Sequence, residues 1–283
     1  PCLVRLTGMA LFHPFRSLLL ICVLSLAGCL PTPASSTPTL PPTATATLPP
    51  TSTPTIVPTM TSTPTPTPLP AVLITNGDRA SNFVALTFDV CQDPAYPAGY
   101  DSVLVSVLER YNVPATFFMG GDWMRTHPTE AQQLAAHPLF EMGNHSWDHA
   151  DFTTLSADQI RAELIQTDDM LFQLTGRRSH LFRLPAGAYT DFTLQVISQM
   201  GFYTIQWDSV TGDPDPNFDA ATILGEVQRT AQSGSIIIMH ANGRGWHTAE
   251  ALPAIIEYLQ GRGFQLVTVS QLLGIEMEGS SNQ

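Results

Sequence analysis

Lysine is absent from this sequence of 283 residues, and all twelve basic residues are arginine. Without lysine the chain has no Schiff-base nucleophile, no pyridoxal phosphate site and no phosphate-binding P-loop of the Walker type. The formal net charge of −12 also argues against nucleic acid or an anionic surface as a partner. Together these features exclude several large enzyme classes and argue against polyanionic partners.

Cysteine is scarce as well, with four residues in the whole chain. Cys2 precedes Met9, a plausible initiator, and Cys22 and Cys29 lie in an apolar leader. This leaves Cys91 alone in the remainder of the sequence, so we expect no internal disulfide. The fold must therefore depend on its apolar core.

The first 29 residues are predicted to be a targeting segment. Arg16 is followed by an apolar run at 18–26 that is too short to span a bilayer comfortably. The run ends in Leu26-Ala27-Gly28-Cys29, which resembles a bacterial lipobox. We expect a lipid on Cys29 that anchors an extracytoplasmic protein to the membrane; the alternatives are an ordinary cleaved signal or a short membrane anchor.

Residues 30–70 consist almost wholly of Thr, Pro, Ser and Ala. Such a segment lacks the apolar surface that would offset the entropy cost of ordering, so we expect a disordered linker. Residues 71–283 then form the domain, which is long enough for one sizeable core and which we expect to be monomeric.

Strand-like and helix-like segments alternate through this domain. Apolar, β-branched runs predict seven strands at 83–88, 115–119, 139–142, 181–184, 203–207, 235–239 and 264–269. Helical periodicity between them predicts helices at 102–111, 157–174, 190–200, 221–231 and 248–259. This alternation predicts an α/β fold with a parallel sheet, closed or nearly closed into a barrel.

Polar residues follow the predicted strands at their carboxyl ends, where parallel barrels collect their chemistry. They are Asp89, His145, His149, Arg183, Asp208, Asp213 and His240. Each has a structural alternative: the acids as turn or capping residues, Arg183 as a surface charge, and His240 as a core imidazole. Because several coincide at equivalent strand ends, we expect one shared pocket. The two histidines lie four residues apart and suit a metal site.

The domain resembles the polysaccharide deacetylase (NodB-homology, carbohydrate esterase family 4) family over residues 80–272. The matching stretches are Leu86-Thr87-Phe88-Asp89, Pro114-Ala115-Thr116-Phe117-Phe118, Asn144-His145-Ser146-x-x-His149, Arg183-x-Pro185-x-Gly187 and Met239-His240. The resemblance implies a distorted (β/α)7 barrel. It also implies metal-dependent removal of acetyl groups from sugars, with zinc as the expected ion and cobalt, nickel or manganese as alternatives.

The resemblance also implies roles by position. Asp89 would be the general base, with Arg183 orienting it, and His240 would be the general acid. Asp213 would pair with Arg183 and tune His240. His145 and His149 would hold the metal, and the backbone N–H of Ala186 would stabilise the oxyanion.

Two departures from the family leave alternatives open. The family usually carries a second Asp, a metal ligand, where this chain has Val90. The third ligand is then Asp101, Asp93, Cys91 or Asp89 itself, and we place Asp101 in the predicted set although it also suits a helix cap.

The second departure lies at 210–214, where the family usually shows Asp-x-x-Asp-Trp, so that Asp208 competes with Asp213 as the residue that tunes His240. Three functions follow from the residues: a deacetylase acting on peptidoglycan or a chitin-like glycan, a non-catalytic glycan-binding lipoprotein, or a barrel hydrolase cutting another non-peptide C–N bond.

Overall fold

The computed structural model describes residues 69–92 and 98–275. The predicted signal peptide at 1–29, nearly all of the predicted linker at 30–70, and Asp93 lie outside the described residues. Within the described ranges, no helix combines the length and the apolar character needed to cross a membrane.

Nine strands in the described part of the chain form one sheet. In chain order they are β1 Leu73–Ile74, β2 Phe83–Val90, β3 Ala115–Met119, β4 Phe140–Asn144, β5 Leu181–Phe182, β6 Tyr203–Ile205, β7 Ser209–Val210, β8 Ile236–His240 and β9 Gln265–Val267. Their order across the sheet is β1-β6-β5-β4-β3-β2-β8-β7, with β9 also pairing with β2. The pairings between these strands are parallel.

Helices connect the strands. They are α1 Ser102–Tyr111, α2 Gly121–Thr126, α3 Pro128–Ala136, α4 Ala157–Thr175, α5 Asp191–Gln199, α6 Ala220–Thr230, α7 Thr248–Gly261 and α8 Val269–Leu273. Short 3₁₀ turns span Phe152–Thr154 and Pro185–Gly187. Both ends of α4 are capped: Ser156 and Gln159 form a capping box at its start, and Gly176 ends it at φ 71°.

The sheet curls back on itself. β6 and β7 follow one another in the chain but lie near opposite ends of the strand order, so the two ends of the sheet must approach each other. Asn76, which follows β1 at one end, also forms a bridge with Ser235, which precedes β8 near the other end. The architecture is thus a distorted, partly open α/β barrel, as predicted.

Side chains of β2 alternate between two apolar environments. Val84, Leu86, Phe88 and Val90 join the main cluster beneath the helices, whereas Ala85 joins a second cluster with residues of β3, β5, β6 and β8. Because side chains alternate along a strand, Asp89 shares the face of Ala85. The sequence of β2 therefore directs its acid away from the helices.

The sequence-based boundaries were wrong in a few places. The two-residue strands β1 and β7 and the helices α2, α3 and α8 were not predicted, since such short elements carry little periodicity. The last apolar run, predicted as one strand at 264–269, contains both the end of a strand and the start of a helix. Thr268 caps α8 after β9 ends at Val267, and Val269 begins the helix.

Candidate active site and metal centre

The predicted general base and the predicted general acid come from neighbouring strands. Asp89 of β2 and His240 of β8 are directly paired in the register of the sheet. Both side chains line a cavity of about 240 Å³. Parallel pairing thus brings two groups 151 positions apart into one pocket at the carboxyl ends of the strands.

Arg183 follows β5 and is completely buried against the acid. Its guanidinium Nη1 donates to Asp89 Oδ1 at 2.8 Å, and the group lies over the Phe118 ring at 4.0 Å and the Trp207 ring at 5.5 Å. A buried cation needs a paired anion, and Asp89 supplies it. The two aromatic faces fix the plane of the guanidinium and hence the orientation of the carboxylate.

Burial and charge act in opposite directions on Asp89. Burial alone raises its pKa, but the electrostatic interactions with His145, Arg183 and His240, together with the hydrogen bond from the Arg183 guanidinium, outweigh burial and hold the pKa of Asp89 below its ordinary value. The carboxylate is therefore ionised at neutral pH and can accept a proton.

His145 presents a single open ring nitrogen. Its Nδ1 lies 2.9 Å from the carbonyl oxygen of Arg183, which assigns the ring proton to Nδ1. Nε2 lies 3.5 Å from Asp89 Oδ2, and it is a buried atom without a hydrogen-bond partner among the described residues. Burial lowers the pKa of His145 and keeps the imidazole neutral. A neutral, buried, unpartnered ring nitrogen fits a metal ligand.

The loop from His145 to His149 has an unusual backbone. Ser146 and His149 have φ angles of 64° and 63°, in the left-handed region that residues with a Cβ rarely adopt. The Ser146 hydroxyl accepts from the His149 N–H at 3.1 Å, and the two imidazole rings approach edge to face with centroids 5.2 Å apart. This strained loop turns both rings toward one place.

A third donor atom joins the histidines. Ligand atoms of Cys91, His145 and His149 all lie within 4.8 Å of one another, and Cys91 is 1% exposed. Two imidazoles and one thiol are a donor set that suits zinc. The described residues therefore contain a candidate metal site.

Asp101 is placed elsewhere. Its Oδ1 accepts from the Leu104 N–H at 2.9 Å as the N-cap of α1, and it is not a member of the cluster found in the described ranges. The structure thus favours the helix-cap alternative for Asp101 and gives no support to its predicted place among the ligands.

His240 is held by Asp213. Asp213 Oδ1 lies 3.0 Å from His240 Nδ1, while Oδ2 accepts from the His240 backbone N–H at 2.7 Å and the Thr248 hydroxyl at 2.7 Å. Burial lowers the pKa of His240, but the Asp213 carboxylate outweighs it and the pKa is raised overall. The imidazole thus retains its proton to higher pH than an ordinary histidine.

Of the two acids after β6, Asp213 is the one that contacts His240. Asp208 binds Arg79 at 2.6 Å and accepts from Ile236 N–H, away from His240. The predicted pair between Asp213 and Arg183 is wrong, since the described residues pair Arg183 with Asp89 instead. The sequence alone could not show whether Asp208 or Asp213 contacts His240, because the conformation of the turn between the two acids decides which of them lies beside β8.

Ala186 lies in the turn after Arg183. Its φ is 52° and that of Gly187 is 72°, and no partner for the Ala186 N–H is found within the described ranges. Ala186 also lines the cavity that holds Asp89 and His240. A backbone N–H presented in this way can donate to an oxyanion.

Two supporting residues were not found by sequence reasoning. Glu163 on α4 accepts from the N–H groups of Trp147 and Asp148 at 2.7 and 3.3 Å, between the two histidines. Gln206 is buried after β6, and its backbone carbonyl oxygen accepts from Arg183 Nη2 at 3.4 Å. Neither contact could be predicted from the neighbouring sequence, because each joins residues that are distant in the chain and meet only in the folded structure.

Comparison with known proteins identifies the family. Residues 76–205 match the family described as polysaccharide deacetylase. A peptidoglycan-N-acetylglucosamine deacetylase from Bacillus cereus is 30% identical over 193 residues, covering 67% of this chain and 87% of the relative. The chain belongs to the polysaccharide deacetylase family.

Solved structures of this family share the fold. Peptidoglycan deacetylase PdaC from Bacillus subtilis is 32% identical with a TM-score of 0.59, covering 69% of this chain and 91% of that one. A CE4 family pseudoenzyme from Bacillus anthracis is 28% identical with a TM-score of 0.65, covering 74% and 71%. The predictions of a polysaccharide deacetylase domain and of its barrel fold are therefore confirmed.

Proposed function

We propose that this deacetylase is a divalent-metal-dependent hydrolase that removes N- or O-linked acetyl groups from a cell-surface polysaccharide, such as peptidoglycan or a chitin-like glycan. The observation that carries the proposal is the pairing of Asp89 and His240 on adjacent strand ends, one held by Arg183 and the other by Asp213. The Bacillus cereus relative, whose name gives peptidoglycan as its substrate, supports this substrate class.

His145 and His149 would hold the ion, with zinc favoured and cobalt, nickel or manganese as alternatives. The unpartnered Nε2 of His145 supports this assignment. A bound divalent ion supplies a Lewis acid that polarises the acetyl carbonyl and lowers the pKa of water.

The chain's own groups then handle the protons. Asp89 accepts the proton of the attacking water, and Arg183 keeps the carboxylate oriented and ionised. The Ala186 N–H donates to the oxygen that gains charge as the carbonyl is attacked. His240, with Nδ1 held by Asp213, donates a proton from Nε2 to the leaving nitrogen or oxygen of the sugar.

A second candidate is a glycan-binding protein without turnover. It is favoured by the Bacillus anthracis relative, which is a pseudoenzyme, and by Val90 in the position of a family ligand. The intact Asp89–Arg183 and His240–Asp213 pairs favour the enzyme instead, since binding alone needs neither a base nor an acid.

Acetate release from a panel of acetylated glycans distinguishes the two candidates. The panel holds peptidoglycan, chitin oligomers and acetylated xylan, each assayed with chelator and with added zinc or cobalt. We expect release from at least one glycan, abolished by chelator and restored by metal. Tight glycan binding with no release under any metal would establish the binding protein.

We also propose an extracytoplasmic location with a lipid on Cys29, and acetylated polysaccharide as the partner of a monomeric enzyme. The Leu26-Ala27-Gly28-Cys29 pattern supports the anchor, and the cell-wall substrates named for the relatives support the location. Fatty-acid labelling tests the anchor: the label should be incorporated into the wild type and lost in Cys29→Ala.

A further inference from the structure

Cys91 directly follows Val90, the last residue of β2. Side chains two residues apart along an extended chain share a face, so Asp89 and Cys91 lie together while Val90 points the other way. Val90 is completely buried in the main apolar cluster. The position where the family usually carries a ligand is therefore directed into the core, and the next residue is directed toward the site.

Three donor atoms already converge there. The Cys91 sulfur and one nitrogen of each of His145 and His149 lie within 4.8 Å of one another. Nε2 of His145 is buried without a hydrogen-bond partner among the described residues, while Nδ1 is held by Arg183 O. A buried nitrogen that makes no hydrogen bond and lies among a sulfur atom, a second imidazole and a carboxylate oxygen at 3.5 Å suits a bound cation.

The two carboxylates considered as ligands differ in their partners. Asp101 Oδ1 accepts from the Leu104 N–H, whereas Asp89 Oδ1 accepts from Arg183 and its Oδ2 lies 3.5 Å from His145 Nε2. Asn242 in turn approaches the cysteine, because its Nδ2 donates to Cys91 O at 2.8 Å and lies 3.5 Å from Sγ. An N–H donor directed at sulfur stabilises a thiolate and fixes its position.

We propose that the Cys91 thiolate is the third protein ligand, so that two histidines and one cysteine hold the ion. This inference rests on the proposed metal dependence and names the ligand that replaces the family's second acid. On binding, the thiol proton is released to solvent and the sulfur bonds to the metal. A soft thiolate selects zinc over manganese or magnesium, which prefer oxygen ligands.

Cobalt(II) titration of the metal-free full chain tests the inference directly, since a thiolate bound to cobalt gives an intense charge-transfer band in the near ultraviolet. We expect this band in the wild type at one cobalt per chain and its loss in Cys91→Ser, with zinc affinity reduced at least 10-fold. Asp101→Asn is the matched control and should keep both the band and the affinity. A band absent from the wild type, or unchanged in Cys91→Ser, would overturn the proposal.

A second variant covers the case in which Cys91→Ser fails to fold. Cys91→Asp supplies an anionic oxygen ligand, so it should bind one zinc per chain and lack the charge-transfer band. A Cys91→Asp protein that keeps the band would refute thiolate ligation by Cys91. The readout is independent of turnover: a band without acetate release counts against the proposed function alone, and acetate release without a band counts against the cysteine ligand alone.

Discussion

Two buried carboxylates near opposite ends of the sheet behave differently. Asp89, near the carboxyl end of β2, is paired with the Arg183 guanidinium, and the pKa of Asp89 is lowered. Glu141, near the amino end of β4, is bound by the Thr116 hydroxyl and the Ser270 N–H, and burial raises its pKa. The two acids are buried to a similar extent, at 4% and 6% exposed.

The difference shows that the partner, and not burial, decides what a buried acid can do. Neutral hydrogen-bond donors hold the Glu141 side chain, and these contacts attach the start of α8 to β3 and β4. They do not compensate a negative charge, so the ionised form of Glu141 stays unfavourable. A buried cation keeps Asp89 ionised and able to accept a proton. The buried acid at the amino end of the sheet thus attaches α8, and the buried acid at the carboxyl end is held in its ionised form.

The largest effect is expected from Asp89→Asn. Removing the base should lower the rate of acetate release by about 10³–10⁴-fold. Loss of the anion also leaves Arg183 buried without charge compensation, at a cost of about 3–5 kcal/mol in the free energy of unfolding. Steady-state kinetics and thermal unfolding measure the two effects separately.

Glu141→Gln is the matched control for this variant. It removes a carboxylate of similar burial from the other end of the sheet, and its acetate release should stay within about twofold of the wild type. An equal loss of acetate release in Asp89→Asn and Glu141→Gln would contradict the difference between the two ends of the sheet.

A smaller effect is expected from Asp213→Asn. The Asp213 charge holds the pKa of His240 above its ordinary value against the opposing effect of burial. Without that charge burial dominates, the pKa of His240 falls, and the alkaline limb of the rate profile moves to lower pH. We expect a rate loss of about 10²-fold at neutral pH, partly recovered at lower pH. An unchanged alkaline limb would show that His240 is not the acid.

The sequence indicated most of the polar residues at the carboxyl ends of the strands, but not the residues that hold them in place. Asp89, His145, His149, Arg183 and His240 each follow an apolar run, and the parallel barrel brings such positions together. The pairing of Asp213 with His240, and not with Arg183, depended on a turn that periodicity does not describe. Metal-ligand roles for these histidines remain predictions.

The amino end was less accessible to sequence reasoning. Glu141 lies within a predicted apolar strand, where an acid gives no sign of its partners. Its contact with Ser270 joins residues 129 positions apart through a five-residue helix that was not predicted. Likewise, Glu163 reaches the histidine loop from α4, a contact that only the packed structure defines.

Glu163→Ala should weaken the metal site without abolishing it. Glu163 holds the Trp147 and Asp148 N–H groups, so its removal should loosen the loop between the histidines and lower zinc affinity by about 10-fold. Glu163→Gln keeps an oxygen acceptor and should restore most of the affinity in a competition titration. Equal affinities in both variants and the wild type would rule out a positioning role.

The smallest effect concerns the stability of Glu141→Gln. Because the pKa of Glu141 is raised in the folded state, its contribution to stability is complete below the ordinary pKa of 4.5 and is lost as pH rises through the folded value. The glutamine variant should lack this slope and differ from the wild type by about 1 kcal/mol at neutral pH. Urea unfolding at several pH values measures it, and parallel curves for the two proteins would contradict the raised pKa.

The most direct test is to titrate metal-free enzyme with zinc while acetate release from the best glycan of the panel is followed. If the strand-end cluster is the catalytic centre, activity rises in proportion to bound zinc and stops rising at one zinc per chain. Asp89→Asn should bind the same single zinc and release almost no acetate. Full activity in the metal-free protein, or one bound zinc with no activity in the wild type, would contradict the account.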